Sequence, residues 1–156
     1  MRVHIVAVGR LRAGPQKQLI DDYLTRLNRT GRNLGLGPAR VVEVDDRKAS
    51  GMAAEADLLR RAVPQGAVMV ALDERGRVES SREFADRLAG WRDAGRADLA
   101  LIIGGADGIA PELRAETAFQ LSFGKMVWPH MLVRVMLAEQ LYRAASILSG
   151  APYHRD

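Results

Sequence analysis

Two short runs constrain this chain more than anything else in it. Ala67 to Leu72 is apolar at every position, and Asp98 to Ile103 is apolar after its first residue. A run of that length without alternation marks a strand covered on both faces. Such strands sit at the centre of parallel sheets, with helices on either side. The neighbouring chain should therefore alternate strand with helix.

It does. Arg2–Val8 is β-branched and alternating, so it reads as a first strand. Pro15 suits a first helical turn, and Leu19, Ile20, Tyr23, Leu24 and Leu27 recur at helical spacing, which predicts a helix to about Asn28. Arg29 to Pro38 reads as a loop, and Ala39–Val44 as a second strand. Ser50 is the expected N-cap of a helix through Ala62. Asp73 to Arg77 reads as a charged turn around Gly76. Ser80 and Glu83 form a capping box that opens a helix to about Ala94. A short helix from Pro111, a fifth strand over Ala118 to Phe123 and a long helix over Pro129 to Ser149 complete the set. The fold class is α/β: one domain over residues 1–156, three layers around a mostly parallel sheet.

The 156 residues contain no cysteine, which excludes disulfides and thiolate metal sites. Three scattered histidines and no H-E-x-x-H lead us to expect no metal. Arg2 and His4 interrupt the first apolar run, so no signal peptide is read, and no run is long enough to span a membrane. A cytoplasmic protein is expected. The net charge is +4, but residues 1–40 hold eight basic against two acidic residues. A basic lobe beside a near-neutral body points to an anionic partner, most commonly nucleic acid.

Several chemistries lack their motif: there is no G-x-x-x-x-G-K-[ST], no G-x-G-x-x-G after the first strand and no G-x-S-x-G. In a parallel sheet, ligands bind beyond the carboxyl ends of the strands. Three such ends stand out: Leu72-Asp73, Ile103-Gly104-Gly105 and Leu121 to Met126. Their glycines let the backbone approach a ligand closely. A site built this way is mostly backbone and apolar, which suits an adenine and a ribose better than a triphosphate.

At about 100° per residue, the last helix places His130 and Arg134 on one side and Glu139, Arg143 and Ser146 on the other. Apolar flanks lie between these poles, and two flanks predict a second packing partner, most simply another copy of the chain. The tail Pro152-Tyr153-His154-Arg155 combines an aromatic ring, an imidazole and a guanidinium. Those groups can stack a base, move a proton and hold a phosphate.

Ile103 to Gly108, Leu121 to Met126, Trp128-Pro129-His130, Leu132-Val133-Arg134, Glu139 to Ala144 and Pro152 to Arg155 together closely resemble the bacterial ribosomal RNA large subunit methyltransferase H family. Leu72-Asp73, Gly76 and Ser80-Ser81 fit it as well, and the resemblance runs end to end. Val127 stands where the family often has threonine, which removes a hydroxyl there.

The resemblance implies a SPOUT-class methyltransferase with a C-terminal trefoil knot, acting as a homodimer through the 129–149 helix. It implies methyl transfer from S-adenosylmethionine to N3 of a pseudouridine in 23S ribosomal RNA, within the large subunit or the assembled ribosome. The cofactor contacts carried over are Leu72, Gly104, Leu121, Ser122, Phe123, Gly124, Lys125 and Met126. Tyr153 and His154 are the expected contacts to the base, with His154 a candidate proton acceptor. Arg134, Arg143 and Arg155 are the expected phosphate or charge-stabilising groups, and His130 is expected to fix its loop. Two rivals also fit the composition: a non-enzymatic RNA-binding factor associated with the ribosome, and an enzyme acting on a small anionic metabolite.

Overall fold

A computed structural model describes residues 1–48 and 50–155. The elements run β1 (Arg2–Val8), α1 (Pro15–Gly31), β2 (Ala39–Val44), α2 (Met52–Ala62), β3 (Val68–Val78), α3 (Ser81–Asp93), β4 (Asp98–Ile103), α4 (Pro111–Ala115), β5 (Phe119–Ser122) and α5 (His130–Ser149). The strands form one sheet in the order β2-β1-β4-β3-β5, and every pairing is parallel.

The alternation of side chains along each strand divides the core in two. Val3, Ile5 and Ala7 of β1 join Leu99, Leu101 and Ile103 of β4 under α1, α3 and α5. Val6 and Val8 join Ala100 and Ile102 beneath α2 and α4. Both faces of the central strands are covered, as their unbroken apolar runs require. This is the expected three-layer arrangement.

Three features differ from expectation. Helix α1 continues past Asn28 to Gly31 and passes into a 3-10 turn at Arg32–Leu34, where the Leu36 amide bonds the Gly31 carbonyl at 3.0 Å. Ser50 does not cap α2. The Gly51 carbonyl accepts the first helical bond, from Glu55 at 3.1 Å, so the cap falls one residue later. Asp73 to Arg77 is not a simple turn. Leu72 pairs with Leu121, the chain makes an excursion, and Arg77 pairs with Leu121 again. Gly76 serves a close approach here: a Cβ on it would lie 2.6 Å from the Gln120 carbonyl oxygen. The capping box of α3 forms as read, with the Ser80 hydroxyl accepting from the Glu83 amide at 3.2 Å.

Helix α5 lies across the sheet between α1 and α3. Leu137, Ala138, Leu141, Ala144 and Ala145 are buried. The two apolar flanks thus find partners inside the chain, and they do not themselves call for a second copy. Apolar exposure concentrates instead where the chain enters α5, at Met126, Val127, Trp128, Met131 and Leu132.

Candidate active site

A cleft of 590 Å³ opens at the carboxyl ends of β3, β4 and β5. That is within the roughly 300–1,000 Å³ usual for small-molecule sites. Its walls are the Leu72–Arg75 excursion, the Ile103–Ile109 loop and the segment leading into α5. Of the residues expected to hold a cofactor, Leu72, Gly104, Leu121, Phe123, Gly124 and Met126 line it. Ser122 and Lys125 are not among its lining residues. Ser122 is buried, and its hydroxyl bonds the Glu74 and Gly124 carbonyls at 3.1 and 2.9 Å, so it ties the loop together from behind. Lys125 points to solvent.

Gly104 is the narrowest point of the cradle. A Cβ there would lie 2.5 Å from the Gly108 carbonyl oxygen, which is backbone and cannot swing aside. Only glycine lets the loop fold this tightly at the strand end. The rim carries polar groups whose partners sequence reasoning missed. Asp73 accepts from Arg114 at 3.0 Å and from the Arg75 amide at 2.9 Å. Glu55, from the first turn of α2, lies behind Gly105. Burial, then the nearby Asp107 charge, pushes its carboxyl up, against a hydrogen bond from the Gly105 amide. The Asp73–Arg114 and Glu55–Gly105 pairings join residues far apart in sequence, and no local motif announces them.

His130 also lines the cleft. Burial and the neighbouring Arg134 charge lower its pKa, which favours the neutral ring. Arg134 itself is fully buried. Its Nη2 donates to the Val8 and Gly9 carbonyls, at 2.8 Å for Gly9, and its Nη1 donates to Glu43 at 3.2 Å. It braces the end of β1 and is closed to a substrate phosphate, contrary to the role the sequence suggested for it.

The remaining catalytic candidates form a separate cluster. Glu139 accepts from Arg143 Nε at 2.9 Å and from the Tyr153 hydroxyl at 3.0 Å. The Arg143 guanidinium lies 4.8 Å from the Tyr153 ring centre, and Tyr142 lies 4.6 Å from it. Arg143 Nη1 and His154 Nδ1 are 3.2 Å apart. The guanidinium can only donate, so Nδ1 accepts. Burial, followed by bonds to Tyr23 and Glu139, raises the Tyr153 pKa. Tyr153 is therefore a neutral donor and not a base. Thirteen residues separate His130 from Arg143, about 20 Å along the helix axis. Arg143, Tyr153 and His154 are not among the residues that line the cleft.

A parallel α/β domain with a glycine-lined cleft at its strand ends has the place where such folds bind their ligands. The family model described as "Predicted SPOUT methyltransferase" matches residues 1–154, and the chain belongs to that family. It is a methyltransferase, and S-adenosylmethionine is its methyl donor. The chain is 78% identical over 156 residues to "Ribosomal RNA large subunit methyltransferase H" of Roseobacter denitrificans, covering all of both chains. The protein of that name from Ruegeria pomeroyi is 75% identical over 155 residues, 99% of each chain. In fold the chain resembles a probable methylase family protein from Haemophilus influenzae at TM-score 0.55 and 14% identity, over 99% of this chain and 70% of that one.

Proposed function

We propose that the chain methylates N3 of a pseudouridine in 23S ribosomal RNA, on the large subunit or the assembled ribosome, as a cytoplasmic homodimer. The observation that carries this reading is the full-length identity with large-subunit rRNA methyltransferases. The cleft fits the cofactor: a tight glycine cradle and apolar strand ends suit an adenine and a ribose. Leu72, Gly104, Leu121, Phe123, Gly124 and Met126 would hold it, with Ser122 bracing their loop. The bound cofactor supplies an activated methyl on a sulfonium. What remains for the protein is to align N3 in line with that methyl and to stabilise N3 as its proton leaves. The trefoil knot expected of the family belongs to this proposal, supported by the crowding of three strand-end loops around one cleft.

The tail carries the substrate chemistry in this reading. Tyr153 donates a hydrogen bond and offers a ring to stack on the base. Arg143, already charge-paired with Glu139, offsets negative charge developing on the base. His154 accepts the proton after Nδ1 leaves Arg143. A second copy completes the site, because the tail packs on Glu139 and Arg143 of α5 and its residues are not among those lining its own cleft. The exposed apolar entry to α5 supplies the surface for that copy. No helix among the described residues is long and apolar enough to cross a membrane.

The test is labelled methyl transfer to ribosomes lacking the modification, with mass mapping of the product. Deleting Tyr153 to Asp156 should abolish turnover while S-adenosylhomocysteine still binds by calorimetry. Undiminished methylation by the truncated protein would remove the tail from the mechanism. RNA binding without saturable cofactor binding would favour the non-enzymatic factor instead.

A further inference from the structure

The loop joining β1 to α1 does nothing in the mechanism above, yet it is held with unusual care. Gly9 is buried, while Arg10 and Arg12 project into solvent. The Leu11 amide between them donates to Glu43, the same carboxylate that Arg134 holds at 3.2 Å. Arg134 also grips the Val8 and Gly9 carbonyls at the root of the loop. Arg134 directly follows Val133 and lies one turn beyond His130, and both of those line the cleft. The loop is thus fastened to the cleft wall by a single buried side chain.

The charges of the loop are uncompensated. Elsewhere in the first forty residues Arg2 is paired with Asp98, Lys17 with Asp21 and Arg26 with Asp22, and Arg40 donates to His4, while Arg29 and Arg32 lie at the far end of α1. Among the described residues no carboxylate pairs with Arg10 or Arg12, and Glu43 is already committed to Arg134 and Leu11. An exposed guanidinium pair without a carboxylate partner among the described residues, on a loop tied through Arg134 to the wall of a cleft, suits the phosphodiester backbone of a nucleic acid.

We propose that the β1–α1 loop is a phosphate-gripping arm for the RNA, in which Arg10 and Arg12 contact the backbone and Arg134 is the positioning residue that fixes the arm beside the cleft. This inference rests on the proposed RNA substrate. It assigns no part of the methyl transfer to the three arginines.

The probe is a stem-loop RNA carrying the pseudouridine, titrated between about 50 and 200 mM salt, where phosphate contacts dominate the change in affinity. In the double variant R10Q/R12Q, the slope of log affinity against log salt should become shallower by about 1.5, at somewhat under one unit per phosphate contact. KM for RNA should rise roughly tenfold with kcat unchanged at saturation. R29Q/R32Q removes the same charge from the far end of α1 and should leave slope and KM as they were. Equal effects from both pairs, or none from R10Q/R12Q, would overturn the arm. R134K keeps the charge but cannot span both carbonyls and Glu43. Its KM should rise with kcat held, whereas a fall in kcat at unchanged KM would overturn the positioning role. If the wild-type protein bound this RNA but methylated nothing, the proposed function would fail while the salt slopes still judged the arm.

Discussion

At the amino ends of its strands the sheet closes around one carboxylate, while at the carboxyl ends it stays open. Asp98 at the closed end accepts from Arg2 at 2.8 and 2.7 Å and from His4 Nε2 at 2.8 Å. Arg40 donates to His4 Nδ1 at 3.0 Å, which leaves Nε2 to carry the proton toward Asp98. Every group there has a partner. At the open end Glu55 Oε2 and Arg134 Nε are buried without hydrogen-bond partners, and glycine replaces side chains along the loop. An imidazole beside a carboxylate resembles catalytic machinery, but the pair at the closed end is buried, is not among the residues lining the cleft, and has both ring nitrogens engaged. Chemistry belongs where the packing is incomplete.

The largest effect should come from breaking the open end. Gly104→Ala puts a methyl against the Gly108 backbone, so the loop must move. The affinity for S-adenosylhomocysteine should fall by roughly 100-fold or more by calorimetry, because the backbone no longer reaches the cofactor. The fold should survive, since most of both core halves lies in the strands and helices outside the loop. Binding within a factor of two of the wild type would mean that Gly104 is not the cradle.

The closed end should answer with stability and not with activity. Arg2, and then His4, hold the Asp98 carboxyl down to about 2. A pKa below the unfolded value of 3.8 stabilises the fold above about pH 4, and that contribution disappears as pH falls toward 2. Asp98→Asn should cost about 1–3 kcal/mol in urea unfolding at neutral pH, the usual value of hydrogen bonds to a charged group. It should also flatten acid unfolding between about pH 4 and 2, with cofactor affinity untouched. A variant that kept the wild-type acid profile would place the acid sensitivity elsewhere.

The contrast between the ends was only partly legible in the sequence. Strands β1, β2 and β4 have the bounds their patterns predict, because apolar alternation and unbroken apolar runs are local signals. The three strand ends of the cleft followed from parallel topology and glycine content. What was hidden is non-local. Gly76 read as a turn residue because its reason, the Gln120 backbone, lies on another strand. Arg134 read as a phosphate ligand because helical angles give a polar pole without saying what meets it. Its partners are 125 and 126 residues away. The Asp73–Arg114 bridge on the cleft rim joins two elements that share no motif.

The smallest effect tests the tail, which packs on Glu139, Tyr142 and Arg143 of α5. Tyr153→Phe removes one neutral donor to Glu139 and keeps the ring against Tyr142 and Arg143. Losing one such bond should cost about 1 kcal/mol of stability. A role confined to packing within one chain predicts that small loss and an unchanged kcat. If the tail completes a partner's cleft, kcat should fall about tenfold with cofactor affinity unchanged, because the hydroxyl then orients the base and not only its own helix. The two outcomes separate a tail that merely packs on its own helix from one that finishes the open end of another copy.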